Sequence, residues 1–329
     1  MNDLASSAAR ANAIAEQLIR DRVISHRPVH EALSDVEATT SSRDFRATLS
    51  ASGRQLDVAV SMLAVLRAPA LFDRFRNDVL TRRAVTHANV VAYVNTFVGT
   101  LPAHADSSLA SQPRLWICTE HMQLDSLEHL VDVQRLAFAE PHVAAVVRAV
   151  LAALDYLHST HQIVHRCVGP DVVLVNDAGV VKLTDFALAA DLTQSRGPPL
   201  PLPRDTRSSK RAFWLAPEVA DEKATYCERS DVFSCALLVY AMLDGASPLA
   251  HLQPAAAIDA LKRARTTGQL PFALRSPASP LLASFVEAGT RVLPDVRPSA
   301  QSLLRHSFLR EAAPNDALLQ WLKSGVQRQ

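Results

Sequence analysis

The sequence predicts an α+β chain in which a small β-rich part precedes a larger, mainly helical one. Three observations carry this. Before about residue 100, short runs such as Phe45 to Leu49 and Leu56 to Leu63 flank the turn-forming stretch SASGRQ, the pattern of paired strands. After it, Val143, Val147, Val150, Leu154 and Leu157 recur at intervals of four, three, four and three residues, which places them on one face of a long amphipathic helix. Further on, VFSCALLVYAML, Val232 to Leu243, is apolar all round, the mark of a helix buried on every side and too short to span a bilayer.

Taken in order, the chain starts MNDLASSAARANAIAEQLIRD. Asp3, Glu16 and Asp21 argue against a transit peptide, so residues 1–29 are read as an exposed helical extension. The two strand runs follow, then a helix from about Leu71 to Ala84. LPAHADSSLASQPR, Leu101 to Arg114, reads as a hairpin loop leading into the strand RLWICTEHM, which joins the small part to the large one. The main domain is placed at 30–310, divided at about 120/121, with a tail at 311–329. RGPPLPLPR, Arg196 to Arg204, is an extended polyproline stretch, either a flexible loop or an SH3 ligand, and the loop is the reading taken. In the closing ALLQWLKSGVQRQ, Leu318, Leu319, Trp321 and Leu322 form a short apolar face.

With 329 residues and 48% hydrophobic side chains, the chain can bury a large core. Thirty-four basic against thirty-three acidic residues, a net charge of +1, give no electrostatic case for nucleic acid or a membrane surface, and neither is expected as a partner. Cys118, Cys167, Cys227 and Cys235 show no metal-ligand spacing, which points to a reducing compartment. The expected location is the cytoplasm, with the nucleus as a second one. His158, His161 and His165 are read as structural, not as a metal cluster.

His165-Arg166-Cys167, Asp185-Phe186-Ala187, Trp214-Leu215-Ala216-Pro217-Glu218, Ser230-Asp231-Val232-Phe233-Ser234 and Arg297-Pro298-Ser299-Ala300 occur in the order and approximate spacing of the protein-kinase large lobe. THANVV at Thr86 to Val91 and the hinge-like ICTEHM at Ile117 to Met122 lie upstream. The chain therefore resembles the protein-kinase superfamily over roughly residues 30 to 310, which implies a two-lobed fold. Within it, ALDYLHSTHQIVHR, WLAPEV, SDVFS and FVEAGTRVLPDVRPSAQSLLRHSFLR are similar to the sterile-20 group, and there to the pseudokinases called STE20-related adaptors.

The resemblance also tests the chemistry. A kinase uses a carboxylate after His-Arg to orient the attacking hydroxyl, and this chain has Cys167, read as a small buried hydrophobe rather than a nucleophile. Gly169 stands where a phosphate-contacting lysine is expected, and Val172 where an asparagine binds the second magnesium. Asp171 beside it reads as a metal-reaching acid or a turn former, with the turn former preferred. Ser61, in Val58-Ala59-Val60-Ser61, replaces the strand lysine, and ATTSSRD, Ala38 to Asp44, replaces the glycine-rich loop. Asp78 is the candidate acid of the small-part helix, read as exposed.

What the resemblance implies to be retained is structural. His165 and Phe186 stack in an apolar column, Asp231 holds the loop backbone, and Glu218 pairs with Arg297. Thr119, Glu120, Met122 and Asp185 are the residual nucleotide contacts. The expected chain is no enzyme and needs no cofactor, and any ATP affinity it has is expected to be weak. It would be an allosteric adaptor for a client kinase of the liver-kinase-B type, together with a helical-repeat scaffold of the calcium-binding-protein-39 type. The client would meet Arg204, Arg207, Arg211 and Phe213, and Trp321 would engage the scaffold. The alternatives are an atypical sterile-20 kinase using Asp185 and an unrecognised cation, and a scaffold for unrelated signalling partners.

Overall fold

The computed structural model describes residues 33–38, 44–51, 54–63, 69–99, 114–136, 138–193, 209–220 and 226–326. They fall into two units, one made of the residues up to Thr86 with Val91–Met122, the other of His87–Val90 with the residues from Gln123 onward. The extension at 1–29, the RGPPLPLPR stretch, Arg204 and Arg207 lie outside the described residues.

The first unit is a five-stranded sheet with a helix. Its strands are β1 (Leu33–Ala38), β2 (Asp44–Ala51), β3 (Arg54–Leu63), β4 (Tyr93–Gly99) and β5 (Arg114–Glu120). Their order is β1-β2-β3-β5-β4 and every pairing is antiparallel. The two strand runs and RLWICTE thus form as the alternating, β-branched pattern predicts. Ser61 sits opposite Asp44 on one side and Ile117 on the other, well inside the sheet. Ala38 ends β1 and Asp44 opens β2, so ATTSSRD is the connection between them.

Helix α1 (Pro69–Ala84) starts on a proline, whose missing N–H is one that a first helical turn leaves unbonded. Phe75 and Val79 are buried. Asp78 departs from its reading as an exposed acid: it is buried, and Arg82 Nε donates to its Oδ2 at 2.8 Å. An arginine one turn on satisfies the carboxylate locally, so the position can turn inward.

The second unit is built on two helices. In α2 (Glu140–Thr160) the stripe Val143, Val147, Val150, Leu154 and Leu157 is buried throughout, so its apolar face lies within the protein. Helix α3 (Glu228–Asp244) is buried from Ser230 to Met242 and closes on Gly245 at φ 76°, the left-handed position where glycine carries no Cβ penalty. Two short antiparallel pairs complete the loop region, β6 (Ile163–Val164) with β9 (Ala190–Asp191), and β7 (Val173–Val175) with β8 (Val181–Leu183). Then come α4 (Pro254–Thr267), α5 (Pro280–Gly289), α6 (Ala300–Leu303) and α7 (Asn315–Val326).

The apolar face predicted near the end does form on α7, and it is occupied from within. Leu318 and Leu322 are buried, and the Trp321 ring lies 4.7 Å from Phe138 and stacks at 4.3 Å on His142. Trp321, expected as a scaffold anchor, packs against these two rings in this conformation.

Candidate active site

The site is organised by Asp231, the fourth residue of α3. Its carboxylate accepts from the amides of His165 and Arg166, both at 2.8 Å, and meets His158 Nε2 at 2.9 Å. Those amides hold Arg166 at φ 66°, a left-handed conformation that disfavours a side chain by about 1–2 kcal/mol. Tyr226 donates to the Arg166 carbonyl, and the Arg166 guanidinium lies 4.9 Å over the same tyrosine ring.

His165 and Phe186 are both fully buried and meet edge to face with centroids 5.2 Å apart. His165 Nε2 donates to the Thr184 carbonyl at 2.9 Å. Burial holds the imidazole below its ordinary pKa, against the opposing pull of Asp231 and Asp185. The other two histidines of the rejected metal cluster go elsewhere: His158 to Asp231, His161 to the Tyr156 hydroxyl.

Glu218 and Arg297 form a bidentate pair, Nη1 to Oε1 at 2.7 Å and Nη2 to Oε2 at 3.0 Å, with Arg297 fully buried. Ser230 donates to the same carboxylate. The rest of the guanidinium donates to the carbonyls of Arg229, Arg291 and Val292 and lies over the Phe233 ring. This multiplicity is what a buried charge requires.

The loop these contacts support carries little transfer chemistry of its own. Cys167 is 9% exposed and lines a shallow cleft with Gly169, Asp171, Arg211, Trp214 and Tyr226. Gly169 has φ −163°, which any residue adopts, so space explains it: a Cβ there would meet Asp171 Oδ1 at 2.8 Å and Trp214 at 3.5 Å. Val172 is buried on the turn Pro170–Val172 and offers no oxygen to a metal.

Asp185 is present, at φ 63°, accepting from the Ala187 amide. Its Oδ2 also accepts from Arg211 Nη2 at 2.8 Å, and the same nitrogen stands 3.5 Å from Asp171 Oδ2. Arg211, expected as an anchor for a client, has its charge engaged inside the unit. Asp171, read as a turn former, does sit on the turn, yet it also converges with Asp185 on one cation. Burial first, then the charges of Asp185 and Glu128, push its carboxyl up to about 7. Two carboxylate oxygens are therefore at hand for a divalent ion where Val172 supplies none.

Phe213 lies on the turn Lys210–Trp214, its carbonyl accepting from Ser247. Thr119 and Glu120 end β5 and Met122 follows buried, all in the first unit, whereas Asp185 belongs to the second. Glu120 Oε1 accepts from the Ala92 amide at 2.7 Å.

Residues 52–309 match the family model for the protein kinase domain. Among curated relatives, the chain is 33% identical over 238 residues to the serine/threonine-protein kinase pak-1 of Caenorhabditis elegans, covering 72% of this chain and 37% of that protein. It is 28% identical over 272 residues to shk1/pak1 of Schizosaccharomyces pombe, covering 83% and 37%. With ste20 of Emericella nidulans it shares 29% over 252 residues, covering 77% and 27%. The chain thus spans well under half the length of these relatives. They also correct one expectation: all three are named serine/threonine-protein kinases, which points to an enzyme where the sequence reading had none.

Proposed function

The chain belongs to the protein kinase domain family, and from that premise we propose that it is an atypical serine/threonine kinase of the sterile-20 group, with Asp185 as its nucleotide-facing carboxylate. The observation that carries this reading is the conformation of Asp185. It is kept in a left-handed backbone beside the intact His165–Phe186 contact, with one carboxylate oxygen accepting from the Ala187 amide and the other turned to a cation, Arg211. Asp185 fits a divalent ion as one carboxylate ligand, Asp171, which converges on the same cation, offers a second oxygen, and phosphate oxygens complete such a shell. When bound, that ion neutralises charge on the transferring phosphates.

The remaining residues set the expected speed. With Cys167 in the proton acceptor's place, the reaction lacks the roughly 10²–10⁴-fold that a positioned base contributes. Turnover is expected about that far below the roughly 1–100 s⁻¹ of kinases, with weak ATP binding. Phosphate transfer from radiolabelled ATP to a generic protein substrate is the test. Incorporation that disappears in Asp185→Ala supports the proposal, and incorporation no greater than in that variant overturns it.

A second reading is favoured by the thiol, glycine and isopropyl group at positions 167, 169 and 172 on an undamaged frame. A folded surface that binds the active form of a partner serine/threonine kinase, of the liver-kinase-B type, would shift that partner's population without demanding fast turnover of its own. A scaffold of the calcium-binding-protein-39 type would reach Trp321 only after α7 leaves its seat. Co-purification that raises a partner's activity, unchanged by Asp185→Ala, would favour this role over the first.

A further inference from the structure

The contact between Arg211 and Asp185 is built too firmly to be a wandering surface pair. Arg211 lies on the turn Lys210–Trp214, whose start is fixed by Ser209 Oγ accepting the Arg211 amide. The Phe213 carbonyl accepts from Ser247 at 2.9 Å, and the Trp214 carbonyl from Ser234 at 2.6 Å. Ala212, directly after Arg211, is fully buried. The backbone that follows Arg211 is therefore tied to the large helical core, and the guanidinium is aimed at an aspartate 26 residues earlier.

We propose that Arg211 is an autoinhibitory cation, which fastens the Lys210–Trp214 turn to Asp185 and competes there with the divalent ion that accompanies a nucleotide. The inference rests on the kinase reading and names a regulation of the same site. Magnesium binds carboxylate oxygen at about 2.0–2.1 Å. A guanidinium nitrogen 2.8 Å from Asp185 Oδ2 and 3.5 Å from Asp171 Oδ2 stands in the space such an ion takes. Two cations a few ångströms apart repel, so one excludes the other. About a third of the Arg211 side chain is exposed, which gives it a route out into water.

Linkage makes the competition reciprocal. An ion with nucleotide at Asp185 displaces the Arg211 guanidinium, and anything that draws that side chain away, such as a docking protein, frees Asp185. The sequence offers no sign of this, because arginine at position 211 reads as well for a surface anchor.

The experiment is Mn²⁺ binding in the presence of a non-hydrolysable ATP analogue, followed by loss of the free-ion electron paramagnetic resonance signal. Arg211→Gln is expected to bind the Mn²⁺ nucleotide about tenfold more tightly than the unmodified chain. In the unmodified chain, limited trypsin cleavage after Arg211 is expected to accelerate severalfold on adding the same mixture, a readout that holds even where the variant folds poorly. Equal Mn²⁺ affinity in the two proteins, or cleavage indifferent to the mixture, overturns the latch. If Asp185-dependent transfer from ATP persists in that case, the kinase reading survives. If neither protein binds the nucleotide, both fail.

Discussion

Behind the loop from His165 to Val172 lies a set of buried polar contacts with all its members in place, while the loop itself carries a thiol, a hydrogen and an isopropyl group where phosphoryl transfer uses an acid, a cation and an amide. The contrast is one of mutual dependence. Asp231 serves two amides and a histidine, and Arg297 serves a carboxylate and three carbonyls. Remove one member and its partners are left buried and unsatisfied. Cys167 and Val172 anchor no such network and Gly169 fills a small space, so changes there strand no buried partner. The residues that hold the loop are therefore separate from the substituted positions it carries.

The largest test of that separation is Arg297→Ala. It leaves the buried Glu218 carboxyl without its guanidinium partner, and is expected to lower unfolding free energy by about 3–5 kcal/mol. Cys167→Ala deletes one sulfur from a nearly buried site and is expected to cost about 1 kcal/mol or less. Urea unfolding followed by circular dichroism measures both. Equal midpoints for the two variants would erase the distinction between frame and loop.

A second, smaller effect asks whether the frame extends to the end of the described chain. Gly179, in the turn between β7 and β8, has φ 73°, and a Cβ there would lie 2.1 Å from the Asn315 carbonyl at the start of α7. Gly268 has nearly the same φ of 74° but open space around it. Gly268→Ala should show only the left-handed strain of about 1–2 kcal/mol. Gly179→Ala should add the displacement of α7, so trypsin cleavage after Lys323 rises severalfold in that variant alone. Matching cleavage in both would mean that α7 is not seated through Gly179.

Much of the frame was legible because its signals are local. The four-three spacing of Val143 to Leu157 and the all-round apolar run from Val232 each fix a helix and its burial without knowledge of any partner. Glu218, Asp231 and Arg297 were legible from the order of their motifs. What escaped were charges whose partners only the fold selects. Arg211 faces an acid 26 residues away, and no spacing rule distinguishes that arginine from a solvated one. Asp78 turned inward because Arg82 stands one turn along, while neighbouring Leu80 is exposed, the reverse of what polarity suggests. At the tail, Leu318 and Leu322 announced an apolar face but not its seat, since complementarity to Phe138 and His142 is a property of the assembled unit.

The smallest expected effect concerns pH, and it sharpens the comparison from the frame's side. His165 is fully buried and its pKa is lowered, so the folded state holds it neutral while the unfolded chain protonates it near 6.5. The unfolded state then binds more protons below that value, and stability present above about pH 6.5 is lost as pH falls through it. His87, His142 and His306 are shifted the same way by burial and add to the slope. One such group contributes at most about 1.4 kcal/mol per pH unit. His165→Phe keeps a ring against Phe186 and loses the bond to the Thr184 carbonyl, so it should be less stable at pH 7.5 yet lose less on going to pH 5.5. Cys167→Ala should leave the pH profile parallel to that of the unmodified chain. If His165→Phe also runs parallel, the acid sensitivity lies with the other histidines and the buried column carries no proton linkage.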